Sequence, residues 1–186
     1  MKYRDYKGPL LKLLDDTGAA ESQLEVTDSQ FIRRAYVRSL FAYIEGAVWL
    51  VKQTCLEVAS ASGFRARDPA DYAILSDQSY ELKDNGETMT QTKFLRLPAN
   101  LRFALGRFNG LFGSKLDLGV GTTPWNNFLA VIDVRHRITH PKNTGEYDVT
   151  DSEIELAKNV CAWFNELMQG TLKVMAPPSD SDETNA

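Results

Sequence analysis

Two histidines and two cysteines are all that this chain of 186 residues has for imidazole or thiol chemistry. The cysteines, Cys55 and Cys161, stand far apart, which excludes a zinc finger or ribbon. The glutamate of a His-Glu-x-x-His motif is missing, which excludes a zinc protease of that kind. His136 and His140 are four apart on one helix face, yet a third ligand would have to be remote, so no metal site is expected. No apolar run approaches membrane-span length, and Met1-Lys2-Tyr3-Arg4 leads into no signal-peptide core. A cytoplasmic chain without a membrane partner is expected. Positive charge is also short. Lys and Arg total 21 against 25 Asp and Glu, a net charge of −4, which argues against sequence-blind binding to nucleic-acid backbone. Part of the acidity is local, because Asp180, Asp182 and Glu183 follow Pro177-Pro178. Without them the body is close to neutral, and a local basic site fits.

What is present is helical periodicity. The length and the 43% hydrophobic content suit one domain, residues 1–175, followed by a disordered acidic tail, 176–186. A short helix is expected around Pro9 to Asp15, then a loop. Asp28 or Ser29 caps a long helix reaching about Ala59. Its main stripe is Ile32, Tyr36, Leu40, Tyr43, Ala47, Val51 and Cys55. A second stripe, Phe41, Trp49 and Leu56, is broken by Glu45 and Lys52; a helix apolar on two sides is either central in a bundle or uses one side against another chain, and the two charges suit a dimer face. Arg33, Arg34 and Arg38 read as solvated, or as lining for an RNA groove. Gly63 ends this helix, and a shorter one starts near Asp68-Pro69. Residues 80–94 read as a β-hairpin, with Asn85-Gly86 supplying positive φ angles at a tight turn. Pro98 opens another helix to about Leu111. Gly119-Val120-Gly121-Thr122-Thr123 lacks the lysine and the preceding strand of a phosphate loop and reads as a helix entry; no cofactor is expected. Thr123 caps the next helix, with Pro124 at its first position. Thr150 to Glu153 is a capping box for the last helix, whose stripe is Ile154, Ala157, Val160, Cys161, Phe164, Leu167 and Met168. Both cysteines lie on apolar faces and are expected as buried free thiols in a reducing compartment, with a disulfide as the second reading. The fold class is all-α: a bundle of four to six helices with one small inserted hairpin.

The helix from Trp125 to His140 carries the chemistry. At about 100° per residue, Trp125, Phe128, Leu129 and Ile132 share a face that Arg135, His136, Thr139 and His140 continue. An apolar stripe thus turns cationic and titratable within one helix. Unpartnered burial of such groups is costly, so this end must line a cleft, meet a partner or be densely hydrogen-bonded. Val131, Val134 and Ile138 form a further apolar line suited to a second copy of the chain. Arg135 can also pair simply with an acid, and His140 can cap its own helix end. Asp133 and Arg137 are spaced for a surface pair. Glu45 can orient Arg135 if their helices meet.

Arg135, four residues, then His140, with a polar residue after the arginine, resembles the Arg-x4-6-His signature of the HEPN superfamily. The order of a long first helix, a late motif helix and a final helix, roughly residues 28–175, is similar too. The resemblance implies a HEPN-like helical bundle. It implies metal-independent RNA cleavage at a composite site, where Arg135 and His140 of two subunits meet across a homodimer. RNA carries its own nucleophile, the 2′-hydroxyl. A neutral His140 can take that proton, and its protonated form can give one to the leaving 5′-oxygen. Arg135 can offset charge building on the phosphate. His136 occupies the position where the family often has Asn, Asp or His, and supports the pair. Arg137 and Lys142 extend a phosphate-binding patch. The family's settings imply phage defence or a toxin–antitoxin system, with an antitoxin or regulatory protein as partner. Lys142 stands where toxins paired with nucleotidyltransferase antitoxins often carry tyrosine, which argues against a tyrosine-modifying antitoxin. The second expectation is a non-catalytic HEPN-like module that binds nucleotide or RNA, or dimerises as an antitoxin or scaffold.

Overall fold

The computed structural model describes residues 6–61 and 69–176. Gly63, Asp68 and residues 177–186 of the acidic tail lie outside that range. The helices are α1 (Lys7–Val26), α2 (Gln30–Ala61), α3 (Pro69–Leu75), α4 (Leu97–Phe112), α5 (Thr123–Thr139) and α6 (Asp151–Met175). Strands β1 (Gln78–Leu82) and β2 (Thr88–Thr92) form an antiparallel pair between α3 and α4. The described residues are therefore mainly α-helical with a small two-stranded sheet. No helix among them is long and apolar enough to cross a membrane.

Helix α2 is the axis of the bundle. Neighbouring residues Tyr36 and Val37, Leu40 and Phe41, and Tyr43 and Ile44 are all buried, so apolar groups point in several directions. A helix apolar on more than one side needs neighbours around it, and α1, α3, α4, α5 and α6 all pack on it. The seven stripe residues expected on α6 are all buried. Its capping box is formed: Thr150 accepts from the Glu153 backbone, and Glu153 accepts from the Thr150 N–H.

Helix α1 is longer than the sequence pattern suggests, running twenty residues where a short helix and loop are expected. Nothing breaks it before Thr27, and Leu10, Thr17 and Leu24 recur every two turns against α2. The Thr17 hydroxyl lies 2.9 Å from the Leu13 carbonyl and 3.2 Å from that of Ser39. Gly46 permits the close approach of the two helices, since a Cβ there would sit 2.5 Å from Leu13 Cδ1.

The hairpin also corrects an expectation. Only Gly86, at φ 81°, supplies a positive φ in the turn; Asn85 does not. The Gly86 N–H donates to Lys83 O, and the Lys83 N–H donates to Glu87 O. Asp84, Asn85 and Gly86 thus make a three-residue loop closing on a left-handed glycine. The α5 cap lies one residue early, at Thr122, whose hydroxyl donates to Gly119 O instead of capping the helix.

Both cysteines are free and buried. Burial pushes the Cys55 thiol up to about 12. Thiolate is the reactive form, so native protein is expected to react with a disulfide reagent at pH 8 only on the timescale of unfolding, and both thiols at once in denaturant. The sign for stability follows. A thiol held protonated by the fold contributes stability that is complete below its unfolded value near 9 and is lost as pH rises toward 12.

Candidate functional site on helix α5

The buried arc of α5 is wide: Trp125, Phe128, Val131, Ile132, Val134 and Ile138 all face the bundle. The line Val131, Val134 and Ile138, expected against a second copy, is core of the same chain. The reason is that α5 packs on both α2 and α6, which uses two apolar sides. Leu129 is not part of this core and is 37% exposed. Arg135 and Thr139 fall within the arc, the first half-buried and the second exposed at the helix end, while His136 and His140 lie past its edge, exposed.

The Arg135 guanidinium donates to Glu45 of α2 across 3.0 Å and lies 5.9 Å from the centroid of the buried Phe41 ring. The contact between Glu45 and Arg135 is therefore made. The side chains are 45% and 31% exposed, so the pair is worth at most about 1 kcal/mol. It holds the guanidinium in place yet can be exchanged for another anion. His140 is the C-cap of α5, and its backbone N–H donates to His136 O at 2.9 Å. Neither imidazole is covered by the fold.

Two adjoining hollows, each of about 520 Å³, share Glu45, Leu95, Leu97 and Arg135. The first also takes in Phe41, Leu129, Asp133 and His136. The second takes in Trp49, Asp77, Lys93 and Phe94. Arg135 and His136 thus come together at a groove between α2, α5 and the chain entering α4. His140 stands one turn farther on, outside that lining.

The remaining predicted residues are placed differently. Arg137 turns toward the chain that follows. Nη1 donates to the carbonyls of Glu146 at 2.8 Å and Asp148 at 2.6 Å, and Nη2 donates to Glu153 at 2.6 Å. The expected pair with Asp133 is replaced by these bonds, because three acceptors converge where one surface carboxylate would compete with water. Lys142 has an exposed side chain, and its backbone N–H donates to Glu146. Arg33, Arg34 and Arg38 are not simply solvated. Arg33 pairs with Asp28 and Asp151 and donates to Val149 O, Arg34 donates to Tyr147 O, and Arg38 donates to Ile138 O at 3.1 Å. Gln30 bonds both the N–H and the carbonyl of Val149. The segment after the motif is therefore fastened to α2 from several points.

Lys52 corrects the expected dimer face. Its side chain is 0% exposed and pairs with Asp77, which leads into β1. Asp77 has φ 53°, alone among the described non-glycine residues in that region. Sequence reasoning also missed the groove's far wall, Lys93 to Pro98. The available signal was Phe94, an aromatic between Lys93 and Leu95 just past a polar strand. Among the described residues, no three His, Cys, Asp or Glu side chains cluster to hold a metal ion. No family model, curated protein or solved structure matches the chain.

Proposed function

We propose that this chain is a HEPN-like, metal-independent endoribonuclease acting as a homodimer, in phage defence or a toxin–antitoxin system. The observation that carries the reading is the polar end of α5: an arginine in a partly exposed ion pair, followed on the same helix by two exposed histidines. In the proposed step, His140 of one protomer takes the 2′-hydroxyl proton as O2′ attacks phosphorus. The P–O5′ bond breaks, and protonated His140 of the second protomer gives its proton to the leaving O5′. The products are a 2′,3′-cyclic phosphate and a 5′-hydroxyl. Arg135 leaves Glu45 for the phosphate and offsets the charge on its oxygens. His136, on the groove side, orients the phosphate, and Lys142 adds charge beside it. Arg137 lies in the same motif, but its bonds to Glu146, Asp148 and Glu153 suit a positioning role for the loop after it.

One observation favours the second reading, a non-catalytic RNA- or nucleotide-binding module. Arg135 is held by a carboxylate, as a structural pair would be. The test is incubation with mixed cellular RNA in excess EDTA. Cleavage leaving 2′,3′-cyclic ends, lost by at least about 100-fold in His140→Ala and Arg135→Ala of unchanged oligomeric state, is the expected result. RNA binding without cleavage at any concentration would replace the enzyme with the module.

A further inference from the structure

The Arg33 cluster with Asp28 and Asp151 is closed on itself. The buried hydroxyls and thiol of Tyr36, Tyr43 and Cys161 open to no surface. The hollows beside Arg135 are different, because their rim is both aromatic and cationic.

Trp49 is 47% exposed and Phe94 is 95% exposed, and both line the hollow that contains Arg135. Rings of that size are normally buried. Here one projects from α2 in the turn after Glu45, and the other lies between the end of β2 and the start of α4. Two carboxylates of the hollow are already answered, Glu45 by Arg135 and Asp77 by Lys52. That leaves Lys93 and Arg96 on the lining of the two hollows, against Asp133. The local balance is cationic although the chain is acidic overall.

We propose that Trp49 and Phe94 form a subsite for an unpaired nucleobase, with Lys93 and Arg96 holding the adjoining phosphates. The inference rests on the reading of Arg135 as a phosphate ligand and assigns the neighbouring surface. Exposed aromatic faces take bases by stacking, and each has a flat π face to offer. Bases within a duplex are already stacked on each other, so the ligand is a looped or single-stranded segment. Cations along the same rim meet the backbone charge that follows each base. Lys52 and Asp77 position this wall, because their pair fastens the start of the hairpin to α2 beside Trp49.

The other tryptophans differ: Trp125 is buried, and Trp163 is half-buried in an aromatic cluster with Trp125, Phe128 and Phe164. Trp49 fluorescence, taken as the difference from Trp49→Phe, therefore reports on the subsite. The probe is a 2′-O-methyl oligouridylate, which lacks the nucleophile and stays intact, beside an abasic ribose-phosphate oligomer of equal length. Quenching by the base-bearing strand alone is expected, with affinity falling about tenfold in Phe94→Ala and in Trp49→Ala. Equal quenching by the abasic strand, or unchanged affinity in both variants, overturns the subsite. So does a change of oligomeric state in those variants with RNA affinity intact, which would make the rings a protein interface. Base-dependent quenching without any cleavage leaves the subsite and removes the nuclease. Cleavage that depends on His140, without base-dependent quenching, does the reverse.

Discussion

Asp77→Ala is expected to cost about 3–5 kcal/mol of unfolding free energy, although Asp77 is partly exposed and small. The reason is its partner. Lys52 has no exposed surface, and a fully buried ammonium has no water to turn to. Removing the carboxylate leaves that charge uncompensated. Lys52→Met should cost far less, about 1 kcal/mol, because the carboxylate left behind is 29% exposed and can rehydrate. The double variant, Asp77→Ala with Lys52→Met, should exceed Lys52→Met only by the backbone cost of alanine at position 77, about 1–2 kcal/mol, since the charge that made the carboxylate necessary is gone. Backbone geometry is a separate contribution. Asp77 has φ 53°, a region that Asn tolerates and Ala does not. Asp77→Asn keeps that tolerance and removes only the charge, so the gap between Asn and Ala measures the backbone component. Denaturant unfolding of the four proteins decides it. Equal midpoints for Asp77→Ala and Lys52→Met would show that the pair is not a buried-charge constraint.

Lys52 also shows where the sequence could be read and where it could not. Periodicity placed α2, α4, α5 and α6 closely, because their apolar residues recur at helical spacing and their ends carry caps or proline. Capping at Thr150 was legible in four residues, since the chemistry is local. The length of α1 was not, because Thr17 serves as a buried position through a hydroxyl bond to Ser39, twenty-two residues away. A charged residue within an apolar stripe has two solutions, a wet interface or a buried partner. For Lys52 the partner lies twenty-five residues on, past the short helix α3, and nothing in the spacing announces it. The same limit applied to Val131, Val134 and Ile138. Their pattern shows a second apolar side on α5, and only packing shows that α2 and α6 cover it. Glu45 and Arg135, ninety residues apart, were matched as charges, while the contact itself had to come from the crossing of two helices. Of the candidate site, the residue types and their helix end were in the sequence. The aromatic wall at Trp49 and Phe94 was not, because it is assembled from a helix and a strand exit.

Arg137→Ala is expected to destabilise the fold by about 3 kcal/mol, more than any other motif residue. Its guanidinium spans three acceptors: the carbonyls of Glu146 and Asp148, and the carboxylate of Glu153 at the start of α6. The arginine side chain is 28% exposed and the glutamate 22%, so these bonds are partly shielded from water. Glu153 has a second duty, since it accepts the Thr150 N–H in the capping box. Losing Arg137 therefore loosens the loop and weakens the entry to α6 together. Arg137→Lys should recover little, because one ammonium cannot reproduce a planar fork that meets three oxygens. His136→Ala and His140→Ala should shift the midpoint by less than about 0.5 kcal/mol, as exposed groups do. This contrast separates two roles within one short motif. If His140→Ala removes cleavage at unchanged stability, while Arg137→Ala lowers stability and recovers cleavage on cooling, Arg137 is a positioning residue and His140 carries the chemistry. Cleavage lost in Arg137→Ala with the unfolding midpoint unmoved would instead return Arg137 to the phosphate-binding surface.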